Sequence, residues 1–309
     1  MNSVARSPLS ALMWPALLLF MLGSLLAALH WYFSQDLEDF SLAQFAPGYL
    51  IAAVLLQVIA IAAVIVSWHL NLLGQGVERL RISQSLAMVG ISVIGKYTPG
   101  KVWGLLARGA VLYRHDGRRM PAVVSALVEQ AALAHSALIL VITTFLVYRY
   151  NLALGALALA LMLPSVWWAA RSEALLTWLV RRLSKYKQFE IGGIRACYPA
   201  VCLTLLLMWT LNSAVLWLLT LAYGVEQMPP VSLLLLASIL SYLGGFAAFF
   251  APAGIGVREG LLVAMIGPFV GVSVAIYISL LQRLVTTGVD ISLGGAALLM
   301  LGWQRGSGK

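Results

Sequence analysis

Charged residues are scarce in this chain. Only 10% of its 309 residues are Asp, Glu, Lys or Arg, whereas a soluble globular protein carries about 25%. The hydrophobic share is 61%, and no stretch is both long enough and polar enough to form a separate soluble domain. Water is therefore excluded as the main solvent. The composition predicts an all-α integral membrane protein, with residues 1–309 forming a single polytopic membrane domain.

Cysteine is scarce too, and the residues that usually carry chemistry are not clustered. Cys197 and Cys202 are the only cysteines, and the four histidines show no ligand spacing. These observations exclude a disulfide framework and lead us to expect no metal and no cofactor. Because no nucleophile motif or carboxylate pair stands out, we also expect that the protein is not an enzyme.

Long apolar runs are what the sequence has instead. A helix needs about 20 apolar residues to cross a hydrocarbon core of about 30 Å. Six clear runs meet this length: 11–33, 48–70, 121–148, 151–170, 199–223 and 272–302. Two further apolar stretches, 84–113 and 232–270, are interrupted by turn residues. The interruptions are Pro99 and Gly100 in the first stretch, and Pro252, Gly254 and Gly256 in the second.

The interrupted stretches divide into halves of about 12–18 residues, which are short for full crossings. We therefore predict about six full transmembrane helices plus two re-entrant helical hairpins, with a hydropathy count of about eight. Two full spans in place of each hairpin would keep the same loop sides, so charge alone leaves this alternative open.

The net charge of +9 would suit nucleic acid, but the basic residues lie in short loops between apolar runs. This is the positive-inside pattern, so no nucleic-acid partner is expected. Loops 34–47 and 224–231 contain no Lys or Arg, whereas loop 171–198 contains six. We predict that the first two loops are outside, that the third is inside, and that both termini are cytoplasmic.

The two interrupted stretches share a spacing. Glu129 follows Pro99 by 30 residues, and Arg283 follows Pro252 by 31. Three predicted full spans separate the stretches, and an odd number places them on opposite membrane faces. This indicates inverted-topology repeats, with units of approximately 84–148 and 232–302 and a site near the midplane. Two unrelated kinked hairpins are the alternative.

The first interruption has the sequence GKYTPGKVWG at 95–104. Its glycines and Lys101 have the spacing of a phosphate-binding P-loop, but Val102 occupies the position of the Mg²⁺-binding Ser or Thr. No nucleotide is therefore expected. Lys96 and Lys101 are unusual because a cation at bilayer depth costs about 2.5–3.5 kcal/mol. They either line a site or extend to the cytoplasmic interface.

The second interruption has the sequence APAGIGVREG at 251–260. We predict that Pro252 ends one half-helix and that a new helix starts near Val257, with its N-terminus directed into the membrane interior. Arg258 adds a full positive charge at this point, and Glu259 lies in the first turn. A structural Arg–Glu network that holds the hairpin closed is the alternative.

Further ionisable residues lie inside the predicted spans, where they indicate function by default. The candidate substrate-binding residues are Lys96, Lys101, Arg108, Glu129, Arg258, Glu259, Arg283 and Asp290. Five of these eight are cations and three are anions, a surplus of two positive charges. A low-dielectric site with this surplus favours an anion. Phosphate fits, because the ligand must reside in a membrane.

At these motifs the sequence resembles the transmembrane region family of lysylphosphatidylglycerol synthase, which includes the flippase half of the bacterial multiple peptide resistance factor. APAGIGVREG is similar to the family's Pro-Gly-Gly-x-Gly-x-Arg-Glu signature, with Ala253 where the family usually has Gly. GKYTPGKVWG, Arg108 and Glu129 are similar to the first motif region. The resemblance covers roughly residues 45–300, and we expect no C-terminal aminoacyl-transferase domain.

The resemblance implies a multi-pass protein of the cell (inner) membrane that binds or translocates lipid. The leading hypothesis is a flippase for a lipid with an anionic headgroup, either a phospholipid or a polyprenyl phosphate. The alternative is a lipid-binding accessory subunit of a membrane glycosyltransferase or cell-envelope pathway, without transport. Glycosyltransferase-pathway partners and homo-oligomers are left open.

Overall fold

The computed structural model describes residues 45–77, 79–97, 103–117, 120–172, 191–248 and 251–306. All regular elements of these residues are helical. The α-helices are α1 (Pro47–Gly74), α2 (Ile82–Gly95), α3 (Trp103–Asp116), α4 (Met120–Arg149), α5 (Leu152–Arg171), α6 (Ile191–Tyr223), α7 (Val231–Ala247), α8 (Val257–Val270) and α9 (Val272–Gly306). One 3₁₀ turn, Pro252–Gly254, precedes α8.

Five of these helices are long and apolar enough to cross a membrane. The crossing segments are Pro47–Gly74, Pro121–Arg149, Leu152–Arg171, Arg195–Tyr223 and Val272–Leu301. They correspond to five of the six apolar runs recognised in the sequence, and the remaining run, 11–33, lies outside the described residues. The protein is therefore an all-helical, multi-pass membrane protein.

The two interrupted stretches form four shorter helices. α2, α3 and α8 have 14 residues each and α7 has 17. At 1.5 Å per residue they are about 21 to 26 Å long, less than the ~30 Å of a hydrocarbon core. Residues Pro99, Gly100 and Lys101 of the first interruption lie outside the described residues.

The second interruption differs from the sequence-based prediction in one respect. Pro252 does not end a half-helix, because α7 already ends at Ala247. Pro252 instead begins the 3₁₀ turn, and α8 begins at Val257 as predicted. Because α7 ends at Ala247, the chain turns back before α8 begins, and Gly254 lies against Gly245 of α7. A Cβ added to Gly254 would lie 2.7 Å from the Gly245 Cα.

α1 and α6 pack against each other along their length and run antiparallel. The Ala46 backbone N–H donates to the Ala222 carbonyl at 2.8 Å, which joins the start of α1 to the end of α6. Near the opposite ends of the two helices, Cys197 Sγ lies 4.0 Å from Asn71 Oδ1. These two contacts fix the register of the pair.

The helix contacts form two matching sets, with α5 between them. In the first set, α1 packs on α2, α2 on α3, α3 on α4 and α1 on α4. The corresponding contacts of the second set are α6 on α7, α7 on α8, α8 on α9 and α6 on α9. The two sets also contact each other in an equivalent way. The second helix of the first set, α2, packs on α9, the last helix of the second set, and the second helix of the second set, α7, packs on α4, the last helix of the first set.

Small residues allow α2 and α9 to approach closely. A Cβ added to Gly90 of α2 would lie 2.6 Å from the Ala297 Cβ and 2.9 Å from the Leu293 carbonyl oxygen of α9. Glycine at such positions is typical of membrane helix packing, because it lets backbones meet where lipid provides no hydrophobic driving force. The close approach brings the C-terminal end of α2 to the middle of α9.

Candidate functional site

The two interrupted stretches meet inside the protein. The chain between α7 and α8, which contains Ala253, is called the second turn below. The backbone N–H of Ala253 donates to the carbonyl oxygen of Lys96, just after α2, at 3.1 Å. This bond satisfies two backbone groups that the ends of the short helices would otherwise leave unpaired. It also places charged residues from both motifs in one region.

Asp290 of α9 binds the two residues that follow α2, Lys96 and Tyr97. Its side chain is 3% exposed and forms an ion pair with Lys96. The Tyr97 hydroxyl donates to Asp290 Oδ2 at 2.8 Å, and the same hydroxyl lies 3.2 Å from Thr287 Oγ1. A buried carboxylate needs such partners, because an uncompensated charge in a low-dielectric interior is costly.

Arg283 of α9 holds the second turn. Its Nη1 donates to the Ala253 carbonyl at 3.0 Å and lies 3.7 Å from Glu259 Oε1. The other oxygen of Glu259 accepts from the Gly256 N–H at 2.7 Å, which caps the N-terminus of α8. A carboxylate in this position also interacts favourably with the helix dipole. Arg283 and Glu259 thus support the turn that carries Arg258.

Arg108 of α3 and Glu129 of α4 form a buried ion pair, with 2.6 Å between Nη1 and Oε2. Their side chains are 10% and 7% exposed. The Arg108 guanidinium also lies over the Trp68 ring, 4.3 Å from its centroid. The second carboxylate oxygen of Glu129 has no hydrogen-bond partner. This pair connects the second half of the first interrupted stretch to the helix that follows it.

Arg258 differs from the other cations. Its guanidinium lies over the Tyr242 ring, 4.9 Å from the centroid. Among the described residues, the ion pairs within 4.0 Å involve Lys96, Arg108 and Arg283 but not Arg258. Its side-chain stem passes over Gly245, where an added Cβ would clash with it. Among the described residues, Arg258 therefore presents a guanidinium with no carboxylate within ion-pair distance.

These residues surround a cavity of about 260 Å³. Five of the predicted site residues line it: Lys96, Arg108, Glu129, Arg258 and Asp290. Arg283 and Glu259 are not among the lining residues, but Arg283 bonds to Ala253, which is, and pairs with Glu259. Together the seven described site residues comprise four cations and three carboxylates, a surplus of one positive charge. Lys101 lies outside the described residues.

Sequence reasoning missed several residues that line this cavity or bind the residues that line it. Tyr97 adjoins Lys96 in the first motif, but nothing in the sequence indicated that it binds Asp290. Tyr242, Gln57 and Asn212 line the cavity and lie inside apolar runs. The signal for the two amides was their polarity within long apolar helices, which a search for charges overlooks. Within the described ranges, no group of three or more His, Cys, Asp or Glu could hold a metal ion.

The fold and the site define a class: a multi-pass helical membrane protein with a charged cavity where two interrupted helix pairs meet. The family model described as the lysylphosphatidylglycerol synthase TM region matches residues 36–294, and the chain belongs to this family. The resemblance recognised in the motifs is thereby confirmed. No curated protein and no solved structure gives a significant match. Family membership gives the protein a lipid-related function in a membrane.

One expectation from the sequence is wrong. The lack of a nucleophile motif or carboxylate pair led us to expect that the protein is not an enzyme, but the family is named for a synthase. It is a lipid-modifying family whose transmembrane region is often part of an enzyme. The reasoning failed because it looked only for catalytic groups, whereas a membrane region can serve a lipid-modifying enzyme by handling its lipid.

Proposed function

We propose that the protein binds the phosphate-bearing headgroup of an anionic lipid in this cavity and moves the lipid between the two leaflets. The observation that carries the proposal is Arg258, whose guanidinium lines the cavity without a described carboxylate partner. A cation at bilayer depth costs about 2.5–3.5 kcal/mol, and a bound anion would offset that cost. Phosphate suits it, because the guanidinium fork can donate two parallel hydrogen bonds to phosphate oxygens.

The proposed substrate-binding set keeps the residues recognised from the sequence. It comprises Lys96, Lys101, Arg108, Glu129, Arg258, Glu259, Arg283 and Asp290, with turns formed by Pro99, Gly100, Pro252, Gly254 and Gly256. Within this set, Arg258 contacts the phosphate first. Lys96 and Arg108 line the same cavity but begin in ion pairs with Asp290 and Glu129. An arriving phosphate competes with these carboxylates for the cations.

The proposed architecture is six full transmembrane helices and two re-entrant hairpins in inverted repeats, all within one polytopic domain of residues 1–309. The matching contact sets support the repeats. The antiparallel course of α1 and α6, which begin the two sets, supports the inversion. On this basis the repeat units extend beyond 84–148 and 232–302 to include α1 and α6. Both termini are assigned to the cytoplasmic side of the cell (inner) membrane from the loop charges.

Broken helices at the contact of inverted repeats are a recurring arrangement in membrane transporters. Here α9 contacts both turns, through Asp290 on one side and Arg283 on the other. Exchange of Lys96 from Asp290 to the phosphate would weaken one of these two contacts, because only the Tyr97 hydroxyl would still bind Asp290. The hairpins could then move relative to α9, and the cavity would open toward one leaflet at a time. The headgroup itself is thus the trigger of the conformational change.

The test is reconstitution of the purified protein into vesicles that carry a fluorescent anionic phospholipid, with mass spectrometry of the lipid that co-purifies. We expect faster exchange of the anionic lipid between leaflets than in protein-free vesicles, and an anionic lipid in the purified sample. Co-purification without exchange would favour the lipid-binding accessory role instead. A sample with neither lipid nor exchange would overturn the proposal.

A further inference from the structure

A stripe of polar side chains follows one buried face at the end of α1. Ser67, Asn71 and Gln75 are spaced four residues apart, so they lie on the same side of the helix. The Gln75 N–H donates to the Asn71 carbonyl at 3.2 Å, which continues the helical spacing past Gly74. All three side chains are buried. Polar groups in a membrane interior are costly unless they are hydrogen-bonded, so the stripe needs a reason.

The stripe faces the start of α4. The Asn71 amide nitrogen donates to the Ser125 carbonyl at 3.2 Å, which places these two residues at the same level. One turn later in α4, Glu129 pairs with Arg108, whose guanidinium lies over the ring of Trp68, one turn earlier in α1. The two helices therefore run antiparallel here, and Glu129 lies deeper in the protein than Ser125.

A row of polar groups thus connects the end of α1 to the cavity. From Gln75 through Asn71 and Ser125 to Glu129 it spans two helical turns, about 12 Å. Gln75 Nε2, Ser125 Oγ and Glu129 Oε1 are buried and have no hydrogen-bond partner among the described residues. A bridging water spans about 5.5 Å, because each of its hydrogen bonds is about 2.8 Å long, and successive turns are ~5.4 Å apart. We call this row the polar path.

Glu129 is the carboxylate that lipid binding would leave without a partner. When the phosphate draws Lys96 away, Asp290 keeps the Tyr97 hydroxyl. Among the described residues, the ion-pair partner of Glu129 is Arg108 at Oε2, while Oε1 has none. A buried carboxylate that loses its partner is costly while it is charged, and one proton removes the charge.

The surroundings of Glu129 connect its protonation to the phosphate. The charged and titratable groups that share the cavity with it are Lys96, Arg108 of α3, Tyr242 of α7, Arg258 of α8 and Asp290 of α9. Helices α1 and α6 line the cavity without a charge, α5 does not line it, and the Cys197 thiol of α6 adjoins Asn71 on the polar path. The three cations favour a charged Glu129 in the empty cavity, and a phosphate that binds them removes this effect.

We infer that the polar path conducts protons to Glu129 from the cytoplasmic side, so that binding of the lipid phosphate is coupled to uptake of a proton. The inference rests on the proposed function and specifies how the same site is driven. The Arg108 hydrogen bond passes from Glu129 to the phosphate, and the carboxylate gains one proton from cytoplasmic water, with no other bond changed. Gln75 lies at the cytoplasmic end, since α1 follows loop 34–47, which the loop charges assign to the outside.

The first test measures proton uptake by the purified protein in weakly buffered detergent solution with a pH indicator. The probe is short-chain phosphatidylmethanol, a phosphodiester whose own charge is constant near neutral pH. We expect uptake of about one proton for each lipid bound. Glu129→Gln should still bind the lipid but take up no proton. Lipid binding by the wild-type protein without proton uptake would overturn this inference alone, whereas no binding would overturn the proposed function as well.

The second test follows the rate of proton uptake by stopped flow. Ser125→Ala should slow the uptake about fivefold, the effect of one net hydrogen bond, and leave its stoichiometry unchanged. Ser136→Ala is the matched control, because it removes an equally buried hydroxyl from the same helix, eleven residues beyond Ser125, and should change nothing. Equal rates for the two variants would refute the polar path. Uptake that is lost in Asp290→Asn but kept in Glu129→Gln would assign the proton to Asp290 and refute the inference.

Discussion

Lys96 and Asp290 form an ion pair that joins the first interrupted stretch to the middle of the last helix. The Asp290 side chain is 3% exposed and the Lys96 side chain 36%, so the lysine is the more accessible partner of the pair. Asp290 keeps a second donor, the Tyr97 hydroxyl at 2.8 Å. The cation can therefore leave the pair without stranding the carboxylate entirely. This asymmetry is what an exchange of partners with an incoming phosphate requires.

The first prediction concerns this pair. Lys96→Met should lower the free energy of unfolding by more than the ~0–1 kcal/mol of an exposed pair, but by less than the ~3–5 kcal/mol of a fully buried one, because Tyr97 still serves Asp290. Lys96→Met combined with Asp290→Asn should recover most of the loss. Thermal unfolding in detergent measures both. A double variant no more stable than Lys96→Met would show that the pair is not the stabilising contact.

The second prediction concerns Arg108 and Glu129, which are buried on both sides. Arg108→Met should cost about 3–5 kcal/mol, because Glu129 is left charged and unpaired. Arg108→Met combined with Glu129→Leu should restore stability. Arg149→Met at the exposed end of α4 is the control and should change the melting temperature little. Equal effects of Arg108→Met and Arg149→Met would contradict the buried pair.

The third prediction separates Arg258 from Arg283. Arg258→Ala should leave the protein folded, because the loss is mainly a cation–π contact worth about 0.5–2 kcal/mol, but it should abolish lipid translocation. Arg258→Lys should rescue translocation only partly, since an ammonium lacks the guanidinium fork. Arg283→Ala should instead lower stability, because it removes the donor to the Ala253 carbonyl and the partner of Glu259. Thermal unfolding and lipid transport, both measured for each variant, separate the two roles. Transport by a stable Arg258→Ala protein would remove Arg258 from the site.

The fourth prediction concerns the second turn. Gly254 has a φ of +73° and faces the Gly245 backbone, so Gly254→Ala should destabilise the protein by at least ~1–3 kcal/mol through strain and a backbone clash. Ala253 has a φ of 49°, and Ala253→Gly should be neutral or slightly stabilising. Gly260→Ala in α8, with nothing within 4 Å of the added Cβ, is the control. The melting temperatures of the three variants measure their relative stabilities. A Gly254→Ala protein as stable as the Gly260→Ala control would contradict the close approach of Gly254 to Gly245.

The fifth prediction concerns topology, which rests on loop charge. In a protein with Cys197 and Cys202 replaced by serine, Gln227→Cys should react with an impermeant thiol reagent added to intact cells. Ser184→Cys should react only after the cells are opened. Residue 184 lies in the predicted inner loop, in a segment outside the described residues. Labelling of Ser184→Cys in intact cells would reverse the assigned orientation.

The sequence alone determined the class of the protein and the elements that compose it. Scarce charge and long apolar runs predict membrane helices, because an unpaired backbone in lipid leaves few alternatives to a helix. The glycines and prolines of the two motifs mark the interruptions, and the start of α8 at Val257 follows from them. The charged candidates were also visible, because each stands out in an apolar stretch.

Only the tertiary structure decided which of the candidate charges in the described segments form ion pairs, and that Arg258 has no described carboxylate within ion-pair distance. Arg283 and Asp290 share one helix and were candidates for the same role, yet seven residues are about 10 Å along a helix, and each holds a different turn. Arg108 is buried against Glu129, which lies 21 residues away in the next helix. These pairings depend on contacts between distant segments, such as the close approach of α2 and α9 at Gly90. Spacing along one chain does not encode them.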